Sequence, residues 1–264
     1  MNILITGGNG YIAKSLYSMN IAFEDQIQSI TRKDFDLTDR HATNKWFEGK
    51  YFDVVIHTAV KGGSRLLVDG GNIFYENIQM FYNLLNNKHC FGKLINFGSG
   101  AELGIPSDPY GLSKNIISRI INNENNFYNI RIYGVFDENE LDTRFIKSNI
   151  KRYINKEPIE IHQDKLMDFF YMKDLIELVR HFIYKDNLPK NIDCTYDIDA
   201  YSLSDIAYII NNLSDYKVEI KIGEGKGKKY VGDWNPINVN YIGLEQGIKE
   251  TYKKLSNEEY QLLY

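Results

Sequence analysis

Apolar and polar positions along the chain fall into two alternating rhythms. Short apolar runs at 2–6, 27–31, 53–57, 93–98 and 128–133 read as strands, and the stretches near 10–19, 40–48, 72–88 and 108–124 carry helical spacing. Asp53-Val54-Val55-Ile56-His57 and Lys93-Leu94-Ile95-Asn96-Phe97 are nearly continuous apolar runs, the pattern of strands covered on both faces. Because parallel neighbours need a crossover helix, this alternation predicts an α/β domain, a doubly wound parallel sheet, over residues 1–135. Beyond it the rhythm loosens into helix 142–154, a strand near 158–161, helix 172–185, strand 193–197, helix 202–213, strand 217–220 and a last helix from 243. Residues 136–264 are expected to form mainly a smaller C-terminal substrate-binding lobe, with helix 172–185 able to return to the first domain. A ligand is expected in the crevice at the carboxyl ends of the strands.

Composition removes several function classes. With 31 Lys plus Arg against 35 Asp plus Glu, the net charge is −4, so no global positive field gathers nucleic acid. No apolar run approaches the ~18 residues of a membrane span, and the chain opens on the strand-like Asn2-Ile3-Leu4-Ile5-Thr6 without signal-peptide regions; a cytoplasmic address is expected. Cys90 and Cys194 stand far apart in no metal-ligand spacing, which argues against a zinc site or a disulfide framework and predicts two core thiols. The histidines show no paired spacing, so no metal is expected.

Chemistry enters at the first turn. Thr6-Gly7-Gly8-Asn9-Gly10-Tyr11-Ile12-Ala13 follows a strand and opens a helix, the context of a dinucleotide fingerprint. Gly8-x-Gly10-x-x-Ala13 supplies glycine for a tight turn, glycine where backbone approaches pyrophosphate, and a small residue where helix meets strand. The helix N-terminus then offers free N–H groups to phosphates. At the end of the second strand, where an NAD site carries Asp or Glu, the chain reads Ile30-Thr31-Arg32-Lys33. Arg32 suits a 2′-phosphate and favours NADP(H) over NAD(H), although two solvated loop cations would read the same way. Asp36 and Leu37 are expected beside the adenine.

Tyr110-Gly111-Leu112-Ser113-Lys114 puts a phenol and an ammonium at i and i+4, on one helix face. A phenol of ordinary pKa ~10 is a poor acid–base catalyst at neutral pH, and a neighbouring ammonium favours its phenolate. Ser99, at the end of the fourth strand, can add a hydrogen bond to the oxygen of a reacting carbonyl. A YxxxK spacing alone is common in a chain with 20 tyrosines. Its weight comes from the order: glycine loop, strand-end serine, then the tyrosine eleven residues later.

Taken together these residues resemble the extended short-chain dehydrogenase/reductase (NAD-dependent epimerase/dehydratase) family across essentially the whole chain. Further echoes are Thr31-Arg32-Lys33-Asp34, Asp36-Leu37-Thr38-Asp39, His57-Thr58-Ala59-Val60-Lys61-Gly62-Gly63, Phe74-x-x-Asn77, Arg131-Ile132-Tyr133-Gly134-Val135 and Asp168-Phe169-Phe170-Tyr171-Met172-Lys173-Asp174. The chain looks most like GDP-fucose synthases and other nucleotide-sugar 4-ketoreductases. The resemblance implies a Rossmann domain, a nucleoside-diphosphate sugar substrate and a Ser99-Tyr110-Lys114 mechanism. It further implies cofactor contacts from Gly7, Gly8, Gly10, Tyr11, Ile12, Thr58, Ala59, Lys61 and Asn77, and a homodimer built from helices near 72–88 and 108–124.

The departures are informative. Fucose synthases epimerise C3 and C5 with a cysteine two positions after the serine and a later histidine; here those positions hold Ala101 and Arg144. Alanine has no proton to move and arginine stays protonated, so ketone reduction without ring epimerisation is expected. Met167 stands where the family has an arginine for the substrate pyrophosphate, leaving Ser99, Gly100, Arg144 and Lys165 as the candidate substrate contacts. The expected activity is NADP(H)-dependent reduction of a nucleotide-linked (GDP in the first instance) 4-keto-6-deoxy sugar. Two alternatives stay open: a 4-epimerase or 4-dehydrogenase with tightly held NAD, and a non-catalytic NADP(H)-binding sensor.

Overall fold

The structure is a computed structural model that describes residues 1–18, 26–63, 69–196 and 199–262. Two compact units emerge, one of Met1–Ile132 with Leu178–Ile192, the other of Tyr133–Glu177 with Asp193–Tyr264.

In the first unit, β1 (Asn2–Thr6), β2 (Gln26–Ile30), β3 (Phe52–His57), β4 (Phe91–Ser99), β5 (Phe127–Ile132) and the short β9 (Asn191–Asp193) form one sheet in the order β2-β1-β3-β4-β5-β9. The pairs β1–β2, β1–β3, β3–β4 and β4–β5 are all parallel. The strand order reverses at β1, so the crevice between β1 and β3 is the topological switch point at which open α/β sheets bind ligands. Helices α1 (Tyr11–Ser18), α2 (Arg40–Phe47), α3 (Asn72–Asn86) and α4 (Pro109–Asn122) make the crossovers. Leu4, Val55 and Leu94 of the strands meet Phe47, Met80, Phe81, Leu84, Ile117 and Ile121 of the helices in one buried cluster. Each such side chain removed from water contributes about 1.5–3 kcal/mol.

The second unit holds α5 (Phe145–Ile154), α7 (Leu203–Asn211) and α8 (Leu244–Leu262), with the parallel pairs β7 (Ile159–Ile161) with β10 (Ile220–Ile222) and β6 (Val135–Phe136) with β8 (Phe170–Tyr171). Helix α6 (Met172–Tyr184) begins in the second unit and ends in the first. There Lys93, a buried cation on β4, donates to the carbonyls of Phe182, Ile183 and Lys185 and closes the helix C-terminus.

Most expected elements appear within a residue or two of their predicted ends. The strand expected at 193–197 forms two residues earlier, as β9 at the edge of the main sheet, while the second unit resumes at Asp193; residue 197 lies outside the described residues, as does residue 19 at the end of the first helix. The β6–β8 pair was not foreseen, because two-residue strands carry no readable period. Cys90 and Cys194 are buried thiols. Among the described residues no helix is long and apolar enough to cross a membrane, and no cluster of His, Cys, Asp or Glu is arranged to hold a metal ion.

Candidate active site

The carboxyl ends of β1 and β3 are stitched together by side chains. Thr58 donates to the Thr6 carbonyl at 2.6 Å, the amide of Ala59 donates to the Thr6 hydroxyl, and that hydroxyl lies 2.8 Å from His57 Nδ1. His57 is buried and burial pushes its pKa down to about 3, so it is a neutral structural group. Immediately after β1, Gly7 adopts φ +73°, and a Cβ there would stand 2.7 Å from the Ala59 backbone. Gly8 donates to the Ile30 carbonyl at 2.8 Å, and a Cβ on it would collide with the Ser29 hydroxyl. Gly10 closes the turn on the Gly7 carbonyl at 2.8 Å, and Tyr11 and Ile12 form the first turn of α1. The turn therefore needs its glycines for close approach, and it aims a helix N-terminus at the switch point, a cradle that fits a pyrophosphate.

The adenosine-side candidates flank this cradle. Arg32, just past β2, is 62% exposed and 3.7 Å from Glu76 on α3, which also holds Lys61 at 2.9 Å. Asp36 accepts from the Thr38 amide and hydroxyl, bonds that hold its carboxyl below the usual range. The Leu37 side chain belongs to the core, and its carbonyl accepts from Asn83. Asn77 is 2% exposed and spends its amide on the protein, accepting from the Lys61 amide at 2.8 Å and donating to the Lys61 carbonyl and the Ser113 hydroxyl. It thereby ties the loop after β3 to helix α4. Ser113 in turn donates to the Tyr110 carbonyl.

Helix α4 is set in place by its own first turn. Asp108 caps it by accepting from the Gly111 amide at 2.7 Å, and Pro109 sits at the position that needs no N–H. A Cβ on Gly111 would stand 2.7 Å from the Ala101 carbonyl, so glycine lets the helix start press against the turn that follows Ser99. One helical turn later Lys114, 6% exposed, donates to the Phe97 carbonyl at 2.6 Å and lies 5.8 Å from the centre of the Tyr110 ring. Burial pulls the Lys114 pKa down to about 8, with Glu102 acting in the opposite sense. The Tyr110 ring is covered by Gly63, at φ +71°, whose Cβ would come within 2.7 Å of Cζ. Ser99 is 5% exposed and accepts from the Ala101 amide at 3.2 Å. Thus Tyr110 and Lys114 share one face of α4, whose first turn presses against the turn that follows Ser99, beside the loop after β3.

A residue not singled out in the sequence stands among them. Glu102 is 3% exposed; its Oε2 accepts from the Ser99 amide at 3.2 Å and its Oε1 from Asn129 Nδ2 at 2.7 Å, with Arg131 4.0 Å away. The signal was present: Ser99-Gly100-Ala101-Glu102 spells a capping box directly after a strand, and both of its hydrogen bonds form.

The remaining candidates lie in the second unit. Arg144 is the N-cap residue of α5, beside the buried Glu140, whose pKa burial raises to about 8. Lys165 packs its stem along Gly227, and Met167 is a core residue at 2% exposure. Asp168 accepts from the Gly232 amide at 2.8 Å, and burial lifts its pKa to about 6, with Asp193 adding repulsion.

Proteins similar to this chain carry related names. A CDP-abequose synthase of Yersinia pseudotuberculosis is 22% identical over 250 residues, 83% of this chain and 87% of its own. A GDP-L-colitose synthase of the same organism is 23% identical over 310 residues, 98% and 99% of the two chains. A solved GDP-6-OMe-4-keto-L-xylo-heptose reductase from C. jejuni superposes with a TM-score of 0.77 at 16% identity, covering 97% of this chain and 98% of that one, a likeness of fold. Residues 3–195 match the NAD dependent epimerase/dehydratase family, the family the motifs pointed to. With that match over most of its length, and the glycine cradle and Ser-Tyr-Lys group in register, the chain belongs to the NAD dependent epimerase/dehydratase family and is an oxidoreductase that uses a nicotinamide cofactor.

Proposed function

We propose that the protein reduces the 4-keto group of a nucleoside-diphosphate-linked 4-keto-6-deoxy sugar, GDP-linked in the first instance, using NADPH and without epimerising C3 or C5. The observation that carries this reading is the convergence of Tyr110 and Lys114 on one face of α4 beside Ser99 at the end of β4. The nicotinamide, when bound, supplies the hydride. The chain supplies the proton and the electrostatics: Tyr110 donates a proton to the carbonyl oxygen as charge builds there, Ser99 steadies that oxygen, and the Lys114 ammonium lowers the cost of the phenolate left behind. Gly7, Gly8, Gly10, Tyr11 and Ile12 would hold the pyrophosphate, and Thr58, Ala59 and Lys61 the switch-point side of the dinucleotide.

Two finer points have separate support. Directly after β2 stand Thr31, Arg32 and Lys33, and the nearby Asp34 carboxylate accepts from the Thr31 amide and hydroxyl, which favours a 2′-phosphate at Arg32; comparison of KM for NADPH and NADH tests this, and a clear preference for NADH overturns it. Ala101 and Arg144 stand where epimerisation would need groups that exchange protons, so product formed in deuterated water should carry no deuterium at C3 or C5. The relatives named for CDP-abequose and GDP-L-colitose, and the 4-keto heptose reductase, support a nucleotide sugar as substrate. Exposed Tyr75 and Tyr82 on α3 and Leu112 on α4 support a homodimer through these helices, to be read by light scattering.

The central experiment incubates the protein with GDP-4-keto-6-deoxymannose and NADPH. Equimolar NADPH loss and formation of the C4 alcohol are expected, and Tyr110→Phe should abolish most turnover while NADPH still binds. Sugar interconversion without NADPH consumption, with nicotinamide surviving desalting, would move the assignment to a 4-epimerase. Near-normal turnover by Tyr110→Phe would end the Ser-Tyr-Lys mechanism.

A further inference from the structure

Directly after Ser99 lies a buried acid that takes no part in the proposed proton transfer. Glu102 sits one short turn beyond Ser99, and its two oxygens face different parts of the site. Oε2 takes the Ser99 amide at 3.2 Å, and Oε1 takes Asn129 Nδ2 at 2.7 Å, while Asn129 Oδ1 receives Asn96 Nδ2 at 2.7 Å. The backbone makes room for this carboxylate, because a Cβ on Gly98 would lie 2.6 Å from Oε2. Two residues back along the same strand, the Phe97 carbonyl receives the Lys114 ammonium at 2.6 Å. An acid at 3% exposure and a lysine at 6% exposure are thus fastened to adjoining peptides of β4.

Neither charge is cheap to keep in such a place. Desolvation penalises an isolated buried ion by several kcal/mol, and a nearby opposite charge is the ordinary remedy. Burial raises the Glu102 pKa, and the Ser99 amide, Arg131, Lys114 and Asn129 work against that rise; for Lys114, burial lowers the pKa and Glu102 works against the fall. The charged or titratable groups facing the pair among the described residues are Arg131 from β5, Tyr110 from α4 and His57 from β3, the last neutral with a pKa of about 3.

We infer that Glu102 is a positioning residue for the reaction: it pins the Ser99 backbone at the strand end and is the buried counter-charge that keeps Lys114 an ammonium beside Tyr110. This rests on the Ser-Tyr-Lys reading for its use, but its physical content can be measured without a substrate. Glu102→Gln keeps the shape and removes the charge. Coupling between two titrating sites is reciprocal, so the effect must be visible from either partner.

The test follows the pH titration of the Lys114 side chain by NMR of protein labelled with carbon-13 lysine, the signal assigned with Lys114→Met. Wild type should titrate near pH 8. In Glu102→Gln the midpoint should fall measurably, the sign required when an opposite charge is removed from the surroundings of a buried ammonium. Reciprocally, in Lys114→Met the Glu102 side chain, labelled with carbon-13 glutamate, should titrate at higher pH than in wild type. That second variant keeps the inference open to test if Glu102→Gln does not fold. Unmoved midpoints in a folded Glu102→Gln, or an unmoved Glu102 in Lys114→Met, overturn it. In the reductase assay, Glu102→Gln should shift the basic limb of the pH–kcat/KM profile downward, and Glu102→Asp should restore the limb more than the rate. If Tyr110→Phe stays active while both NMR shifts appear, the catalytic reading fails and the charge pair stands; the opposite combination sinks only the present inference.

Discussion

At the scale of single residues, the site is shaped as much by missing side chains as by present ones. Gly63 holds φ +71° and leaves just enough room for the Tyr110 ring, since a Cβ would come within 2.7 Å of Cζ and 2.9 Å of Cε2. A methyl group there must push the ring, strain the left-handed backbone, or both. Because the phenol must meet its proton acceptor within a fraction of an ångström, displacement costs rate before it costs binding. Gly63→Ala is expected to lower kcat about ten- to a hundredfold, a barrier change of roughly 1.4–2.7 kcal/mol, while the KM for NADPH changes little. Steady-state kinetics at saturating substrate read this out, and an unchanged kcat would show that the ring has another seat. Gly98 repeats the device for the Glu102 carboxylate, and Gly111 for the Ala101 carbonyl.

At the scale of elements, the first half of the chain was open to reading and the second half less so, for a physical reason. Strands buried on both faces, such as Val54-Val55-Ile56 and Leu94-Ile95, advertise themselves as apolar runs, and α4 announces its start through Asp108-Pro109. The candidates Ser99, Tyr110 and Lys114 stood out in the sequence because strand end and i, i+4 spacing fix where they sit locally. Glu102 was written in the capping-box spacing and passed over, since burial and partners 27 residues away, at Asn129, are tertiary facts. β9 forms two residues earlier than the strand expected at 193–197 for the same reason: three residues follow whichever edge the fold offers. Lys93 could be read only as an interruption in an apolar strand, yet its ammonium caps α6 by donating to three carbonyls, Phe182, Ile183 and Lys185. Lys93→Met keeps the apolar stem but strands those acceptors, and should cost about 2–4 kcal/mol of stability. A lower melting temperature with unchanged NADPH affinity is the expected pair of results; equal melting temperatures would mean that water replaces the ammonium without penalty. Capping of α4 gives a milder case, in which Asp108→Ala loses the bond to the Gly111 amide and about 1 kcal/mol, readable as a small drop in the denaturation midpoint.

At the scale of the whole molecule, buried acids give folding a pH dependence whose sign can be worked out. Glu140 is 6% exposed and burial raises its pKa from 4.5 to about 8, while Asp168 rises from 3.8 to about 6. In each case the folded state holds its proton more tightly than the unfolded chain, so the stabilisation is fully present below the unfolded pKa and is lost as pH rises through the folded one. Lys114 acts with the other sign over a higher window: its pKa falls from 10.5 to about 8, so the cost of burying its charge persists below about pH 8 and is relieved as pH climbs toward 10.5. Asp142, held down near 2 by Lys147 and Lys151, is 60% exposed, and solvent screening leaves it a small part. His57, lowered to about 3, offsets part of this loss up to about pH 6.5, so the melting temperature should decline most clearly between about pH 6.5 and pH 8 and recover in part above as Lys114 loses its proton. Glu140 can be isolated from the rest, because its Oε1 accepts from the Lys147 amide at 3.2 Å and a glutamine oxygen can accept the same bond. Glu140→Gln should match wild type near pH 5, exceed it near pH 8, and show a shallower slope between, measured by thermal unfolding in buffers of matched ionic strength. A variant curve parallel to wild type would place the pH dependence elsewhere and leave Glu140 ionised in the fold, its charge compensated by Arg144 and Lys147 more fully than its burial implies.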